Sequence, residues 1–591
     1  MSDFSNLDLT IFIGYILCMV GFGIWLARKS GNTTSKDYFL ASSSLPWWAV
    51  GGSLIASNIS TEQILGMNGS GYVMGLAIGA YELLAALTLI IVAKYFLPVF
   101  IHRGIYTMPQ YLEDRFDSRV RTIMAFFWVA LFVFVNITSV LYLGGLAIQQ
   151  ILGVPLLMGI LGLVLYSAAF SIFGGLKAVV WTDVVQVVVL VFGGMLASYI
   201  IVSFVGNGSY FGGIGVLVDK APEKFDMILS EDNPSYQQLP GIAVLVGGMW
   251  IANIYYWGTN QYIIQRALAA KSIQEAQKGV AFAAVLKLLM PLMVVLPGIA
   301  TFVILSDPTA YGFTGDGINK PDEAFPWVLN NFVQPGLKGL VFAALVAAIG
   351  SSISSMVNSA STIFTLDIYK TMIRPNQEDR HYVTTVKISS TVSFVIGMLI
   401  APVLGSLDQV FQYIQEYTGL ISPGIVAVFL FGIFWKKATS NAALASILAS
   451  VPLAVALKFG YADLPFLDRM GFVLLICSIL IVGISLFENQ GRSESSNADK
   501  GFKFGIIVAL MAISVPSGIM FLIDSNGSND LFGGLIILLS LGLFGVLWTE
   551  NKSEDHKAYH LESSLFKTDT VFNISAFAVF LILAAIYALM G

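Results

Sequence analysis

Charged side chains are scarce in this chain. Asp, Glu, Lys and Arg make up 11% of its 591 residues, against roughly 25% in ordinary soluble domains. Cysteine is nearly absent: Cys18 and Cys477 both lie in apolar runs, and neither has the paired spacing of a metal site or a redox motif. The four histidines (His102, His381, His556 and His560) fall between apolar runs. No H-E-x-x-H, Walker A loop, G-x-S-x-G or Rossmann fingerprint occurs, so metal-dependent hydrolysis, nucleotide binding and serine-hydrolase chemistry lose their usual signatures. The chain is therefore not read as an enzyme, and nothing in it suggests nucleic-acid binding. The opening residues MSDFSNLD carry no Lys or Arg, so the first apolar stretch is read as a retained span rather than a cleaved signal. A net charge of −5 says little about a chain that sits mostly in lipid.

What is abundant is apolar surface. Hydrophobic residues make up 56% of the chain and the mean hydropathy is +0.79. A bilayer core of roughly 30 Å needs about 20 helical residues, and apolar stretches of that size recur throughout. The expected fold class is an all-α polytopic membrane protein, with no ten-residue alternation of the kind a barrel needs. Sixteen candidate spans are read: 9–27, 47–69, 76–99, 121–146, 156–173, 179–205, 240–260, 276–304, 336–367, 385–404, 408–434, 440–459, 467–487, 504–523, 531–548 and 571–590. With the N-terminus outside and the spans alternating, 24 of the 31 Lys and Arg fall on the cytoplasmic side. Six fall outside, and Lys287 is left within a span. This asymmetry obeys the positive-inside rule and predicts both termini outside. The external segments 206–239 and 305–335 are expected to pack on the outer surface. The stretches 488–502 and 549–564 read as polar cytoplasmic loops.

Polar groups inside spans are the informative exceptions, because an ionisable residue at mid-helix costs about 2.5–3.5 kcal/mol on insertion scales. Residues 56–63, ASNISTEQ, put Ser57, Asn58, Ser60, Thr61, Glu62 and Gln63 in the middle of an apolar run. Such side chains compete for backbone hydrogen bonds, and Gly66, Gly69 and Gly71 follow, so a broken helix is expected here, with ordinary interhelical polar packing as the bland reading. Glu82 lies a third of the way into its span, where a carboxyl could also sit cheaply near the interface. Asn253, Tyr256, Trp257 and Asn260 are spaced to share a helical face; an aromatic beside amides suits a sugar, and interfacial packing explains it equally well. Lys287 is flanked by apolar residues on both sides, too deep to snorkel easily, which leaves a functional lining or a structural pair with an acid such as Glu82. Ala348, Ser351, Ser352, Ser355, Asn358, Ser359 and Thr362 form one small, hydroxyl-rich stripe, suited to close helix packing or, opposite unwound carbonyls, to a hard cation. Phe411, Gln412, Gln415 and Glu416 group on one face, and Asp183 lies near a span's cytoplasmic start, where a charge is ordinarily solvated.

Taken in order, these segments resemble the sodium:solute symporter family, specifically its bacterial sodium/galactose (sodium/glucose) branch. The likeness runs from DYFLASSSLPWWAVGGSLIASNIS through GGLKAVVWTDVVQ, NIYYWGTNQYIIQRALAAKSIQEAQKG and VFQYIQEYTGLISPG to FWKKATS, and resumes at SSLFKTDTVFNISA. It implies two five-helix inverted repeats, each with a broken first helix, plus peripheral helices. The first repeat would span 47–205 and the second 240–434. Around them would lie a peripheral helix and loop over 1–46, an external loop over 206–239 and peripheral helices over 435–591, with 504–548 as an extra hairpin. The resemblance implies Na+ as the coupling ion, held by Ala56, Ile59, Ala348, Ser351 and Ser352, with Asp183 on its exit route. It places a sugar on Gln63, Glu82, Asn253, Tyr256, Lys287 and Gln415, under an outer gate of Met67, Tyr81 and Phe411. Ala85 departs from the branch, which has serine there. The implied activity is sodium-coupled hexose uptake by alternating access across the bacterial inner membrane. Another small solute (myo-inositol, sialic acid or proline) is the alternative within the class, and a sugar sensor or sodium channel the alternative outside it. Oligomeric state cannot be read from the sequence.

Overall fold

The computed structural model describes residues 4–29, 39–406, 410–461, 463–489 and 561–590, together with 541, 557 and 559. Among them every regular element is helical, and the one extended pairing is an isolated bridge between Leu45 and Ala270. Among the described residues ten helices are long and apolar enough to cross a membrane, from Asn6–Arg28 to Thr570–Met590. The pair Val410–Gly419 and Ser422–Phe434 forms an eleventh, bent by 49°. Fourteen of the sixteen expected spans coincide with described helices, some as parts of longer ones; 504–523, 531–548 and the hairpin 504–548 they would form lie outside the described residues.

Elements are labelled here in chain order: α1 (Asn6–Lys29), α2 (Trp47–Asn58), α3 (Asn68–Met74), α4 (Ala80–Tyr95), α5 (Ser118–Ala130), α6 (Thr138–Leu152) and α7 (Leu156–Val205). They continue with α8 (Gly248–Ile254), α9 (Gln261–Leu268), α10 (Ile273–Lys287), α11 (Leu296–Ser306), α12 (Leu337–Ile363), α13 (Asp379–Ile400), α14 (Val410–Gly419) and α15 (Ser422–Phe434). The last are α16 (Ser440–Gly460), α17 (Phe466–Asn489) and α18 (Thr570–Met590). The expected spans 156–173 and 179–205 are the two legs of α7, which turns at Gly175, where φ is 59° and ψ −168°. A side chain there would be strained, so glycine marks the corner.

α12 is the axis of the molecule. Nearly all of it is buried, and it packs most extensively on α7, with α1, α13 and the broken helices around it. Small residues allow the approach: Gly193 of α7 faces Ala344, and Gly350 faces the Tyr166 ring.

Two helices are interrupted at mid-membrane. The first stops at Asn58; Ile59 is extended (φ −73°, ψ 100°), and winding resumes as a π segment over Glu62–Met67 that leads into α3. The cause is local chemistry. Ser60 Oγ accepts the Glu62 N–H at 3.0 Å, and Gln63 Oε1 accepts the Ser60 N–H at 2.9 Å. This reciprocal S-x-x-Q arrangement is a capping box that starts a new helix. The second interruption has two points: Gly247 precedes α8, and a π turn over Tyr255–Thr259 ends at extended Asn260 (φ −79°, ψ 123°) before α9. Further π segments occupy Leu131–Ile137, Pro291–Val295 and Phe364–Ile373; such bulges concentrate at functional sites.

The segments 206–239 and 305–335 pack over one end of the bundle. Lys224 Nζ donates to the Val73 carbonyl at 2.5 Å and lies over the Phe302 ring. The turn Pro321–Glu323 presses on Gly69, and Asp322 accepts the Val410 N–H at the start of α14. The loop 549–564 is described only in part, and there Tyr559 is buried, not solvated. Its hydroxyl donates to Asp114 at 2.9 Å, and the Arg103 guanidinium lies 4.1 Å from its ring.

Candidate functional site

The first interruption frees backbone oxygens opposite α12. In an unbroken helix the Ser60 N–H would bond the Ala56 carbonyl; the Gln63 side chain takes it instead. Ser352 Oγ donates to the carbonyls of Ser57 (3.1 Å) and Ile59 (3.3 Å). Ala56, Ile59, Ala348, Ser351 and Ser352 are all fully buried. The Ser352 hydroxyl and the carbonyls of Ser57 and Ile59 meet at the break, uncharged oxygens of the kind a hard monovalent cation takes.

Asp183 departs from the solvated helix-end reading. It is fully buried. Its Oδ1 accepts from Ser351 Oγ (2.6 Å), and its Oδ2 from Ser53 Oγ (2.5 Å) and Ser57 Oγ (3.2 Å). Arg266 Nη2 lies 3.9 Å from the same carboxylate and donates to Ser355 Oγ, which is 2.9 Å from Ser57 Oγ. The arginine is itself fully buried. A buried charge needs a partner, and the fold supplies one from 83 residues away in sequence. Asp183 is thus bonded directly to Ser351, one of the five residues expected at the ion.

The second cluster centres on Lys287, near the middle of the 34-residue span Ile273–Ser306. Its ammonium donates to Glu82 and to Asn58 Oδ1 and sits 4.9 Å from the centre of the Trp257 ring. Glu82 is not at an interface: it is buried and bonded to the lysine. Asn58 Nδ2 donates to the Tyr256 hydroxyl (2.9 Å), which accepts also from the Tyr262 hydroxyl (2.5 Å). A continuous polar chain therefore runs Glu82–Lys287–Asn58–Tyr256–Tyr262. Gln63 stands beside it, but its Oε1 is committed to the capping box.

Asn253 is brought near only in part, since its Nδ2 bonds back to the Met249 carbonyl. The shared face expected for Asn253, Tyr256, Trp257 and Asn260 does not survive as a regular helix, because the π turn and extended Asn260 change the angular step. Tyr81 and Phe411 pack edge to face with ring centres 5.4 Å apart, and Gln415 lies beside the Tyr81 hydroxyl. Met67 is fully buried. Glu416 turns away from this group to Lys458 (2.8 Å) and Arg469 (3.7 Å).

Asn58 was noted in the sequence only as part of the polar run, and Ser53 and Arg266 were not singled out. Asn58 had a signal, the density of polar side chains in ASNISTEQ. Ser53 and Arg266 had none, since their roles come from the carboxylate they meet across helices.

Helices discontinuous within their spans, with backbone carbonyls and buried polar side chains at the breaks, are the arrangement that secondary transporters use to bind ions and solutes. The comparisons with known proteins agree. A model of the Sodium:solute symporter family matches residues 38–450. The chain is 49% identical over 595 residues to the sodium/glucose cotransporter of Vibrio parahaemolyticus, covering 99% of this chain and 98% of that one. It is 32% identical over 480 residues to the sodium/myo-inositol cotransporter 2 of Mus musculus, covering 77% and 71% respectively. Among solved structures it resembles the substrate-bound outward-open state of a Na+-coupled sialic acid symporter, with a TM-score of 0.72 and 26% identity over 82% of this chain and 98% of that one. The chain belongs to the sodium:solute symporter family.

Proposed function

We propose that this protein couples inward sodium movement to uptake of a hexose, glucose or galactose, across a bacterial inner membrane. One observation carries the reading: the break at Ile59 joins both clusters, so one backbone feature shapes the ion site and the sugar site together. The near-full-length likeness to a sodium/glucose cotransporter supports the substrate class.

Sodium would bind the carbonyls of Ala56, Ile59 and Ala348 and the hydroxyls of Ser351 and Ser352. Ser352, now bonded to two of the freed carbonyl groups, would turn its oxygen to the ion, and the break would stiffen. The same segment carries Asn58 and Gln63, so the bound ion organises one wall of the sugar site. By linkage the sugar raises ion affinity equally. Glu82, Asn253, Lys287 and Gln415 present mixed donors and acceptors to hydroxyls, while Tyr256 offers its ring face. Lys287 and Glu82 neutralise one another, which suits an uncharged polyol over a carboxylate. Met67, Tyr81 and Phe411 would part to admit sugar, and Tyr256 with Tyr262 to release it. One charge falling through 100 mV supplies about 2.3 kcal/mol, before any concentration term.

The division into repeats at 47–205 and 240–434, with 1–46, 206–239 and 435–591 outside them, belongs to this reading, as does a topology with both termini periplasmic. The test is uptake of a panel of labelled hexoses into proteoliposomes with and without an inward sodium gradient. Sodium-dependent accumulation of glucose or galactose is expected, abolished by Lys287→Ala while the protein still expresses. Equal uptake without sodium, or an unaffected Lys287→Ala, overturns the assignment.

A further inference from the structure

Two buried acceptors near the Tyr256–Tyr262 pair have no role in the sites above. Glu62 Oε1 and Asn136 Oδ1 are both inaccessible to solvent and without a hydrogen-bond donor among the described residues, each on a side chain that is 8% exposed. Glu62 opens the π segment after the break, and Asn136 lies in the π segment Leu131–Ile137. An unbonded carboxylate oxygen at this depth costs several kcal/mol on the order of its desolvation, so its retention calls for a ligand that is present for part of the cycle.

The fold places the two together. Phe132, Asn136 and Val140 are four residues apart, a step that returns to nearly the same face in α or π winding. The Phe132 ring packs edge to face on Tyr262, with centres 5.6 Å apart. At the other end of that face, the Val140 carbonyl accepts from Thr61 Oγ1 at 3.2 Å. Asn136 therefore lies between the Tyr262 contact and the residue next to Glu62. Both orphan acceptors thus lie on segments that meet at Thr61 and Val140, and the Asn136 segment reaches the Tyr262 ring.

We propose that Glu62 and Asn136 form a second, inner sugar-binding subsite, which receives hexose hydroxyls once Tyr256 and Tyr262 swing aside. This rests on the hexose-symport reading above. Sugar hydroxyls are the donors these acceptors lack, and they arrive when the tyrosine pair opens. The subsite stabilises the sugar at the point where it has left Lys287 and Glu82 but has not reached water, and so lowers the barrier to release.

The experiment compares wild type with Glu62→Met, Glu62→Gln and Asn136→Ala in proteoliposomes and in equilibrium sugar binding at saturating sodium. Glu62→Met and Asn136→Ala are each expected to lower turnover of sodium-driven uptake about 3- to 10-fold, the value of one or two hydrogen bonds. Equilibrium sugar affinity and the sodium half-maximum are expected to stay within about twofold, as for a step that stabilises passage alone. Glu62→Gln, which keeps an acceptor oxygen, is expected to fall between wild type and Glu62→Met. Retained sugar binding shows that each variant folds. Unchanged turnover in both Glu62→Met and Asn136→Ala overturns the subsite. A raised sodium half-maximum with unchanged sugar turnover also overturns it, because the ligand is then a cation. If wild type takes up no hexose with sodium, the symport reading itself has failed, and that outcome is distinct from both.

Discussion

Gln63 shows how one side chain can serve two purposes at once. Its Oε1 holds the capping box that restarts the helix, and under the proposed function its amide nitrogen would bind a sugar hydroxyl. Two substitutions separate these roles. Gln63→Ala removes both, and the lost cap alone costs about 1 kcal/mol of stability. Gln63→Glu keeps the acceptor for Ser60 but loses the amide donor. The expected outcome is a lowered melting temperature for Gln63→Ala, near wild-type melting for Gln63→Glu, and weakened sugar uptake in both. Normal uptake by Gln63→Glu would confine the residue to capping. Ser352 is the corresponding test of the ion. Ser352→Ala removes one oxygen from a neutral set, so the sodium concentration for half-maximal uptake should rise roughly 2- to 12-fold. A wild-type sodium response would remove this serine from the site.

At the scale of elements, the outer half of the first broken helix is held by backbone contact. α3 crosses α11 so closely that a Cβ on Gly298 would lie 2.1 Å from the Asn68 carbonyl oxygen, and one on Gly71 2.8 Å from that of Val295. Asn68 Nδ2 closes the junction by donating to the Val294 carbonyl at 3.0 Å. Small-residue packing of this kind replaces the hydrophobic drive that lipid cannot supply. Gly298→Val would force α3 and α11 apart at an overpacking cost of about 1–3 kcal/mol. Thermal unfolding in detergent should show a clear drop in midpoint, while Gly14→Val, at a position with open space around it, should leave the midpoint near wild type. Equal midpoints for the two would mean that α3 and α11 separate freely.

At the scale of the whole molecule, the charged residues outside the buried clusters form separate networks. Arg121 joins Glu113 and Asp367, Arg119 reaches Glu488 through Asn441, and Tyr559 docks on Asp114. Lys224, Asp322, Asp8 and the Met590 carbonyl are bonded elsewhere. The topology proposed from the Lys and Arg distribution has its own test. In intact cells a membrane-impermeant maleimide should label Gly317→Cys and spare Arg374→Cys, both exposed positions. The reverse pattern would invert the molecule. The docked Tyr559 also ties the approach to α18 onto the short helix Met108–Arg115, so the last helix is more than a lipid-facing appendage.

The sequence by itself determined the class. Length and hydropathy set the spans, scarce charge put them in lipid, and the polar run at 56–63 marked the break, because each of these signals lies within a few consecutive residues. The S-x-x-Q box that starts the new helix was also legible there, in Ser60 and Gln63. Only the tertiary structure decided which buried charges meet. Lys287 could have been read as a lining group or as the partner of any acid, and the fold gives it Glu82 and Asn58. Asp183 looked like a solvated helix end until Arg266 and three serines closed around it. The physical reason is range. Periodicity and capping act over one or two turns, whereas a charge in hydrocarbon is stabilised by whatever the packing brings within a few ångströms, regardless of its distance along the chain.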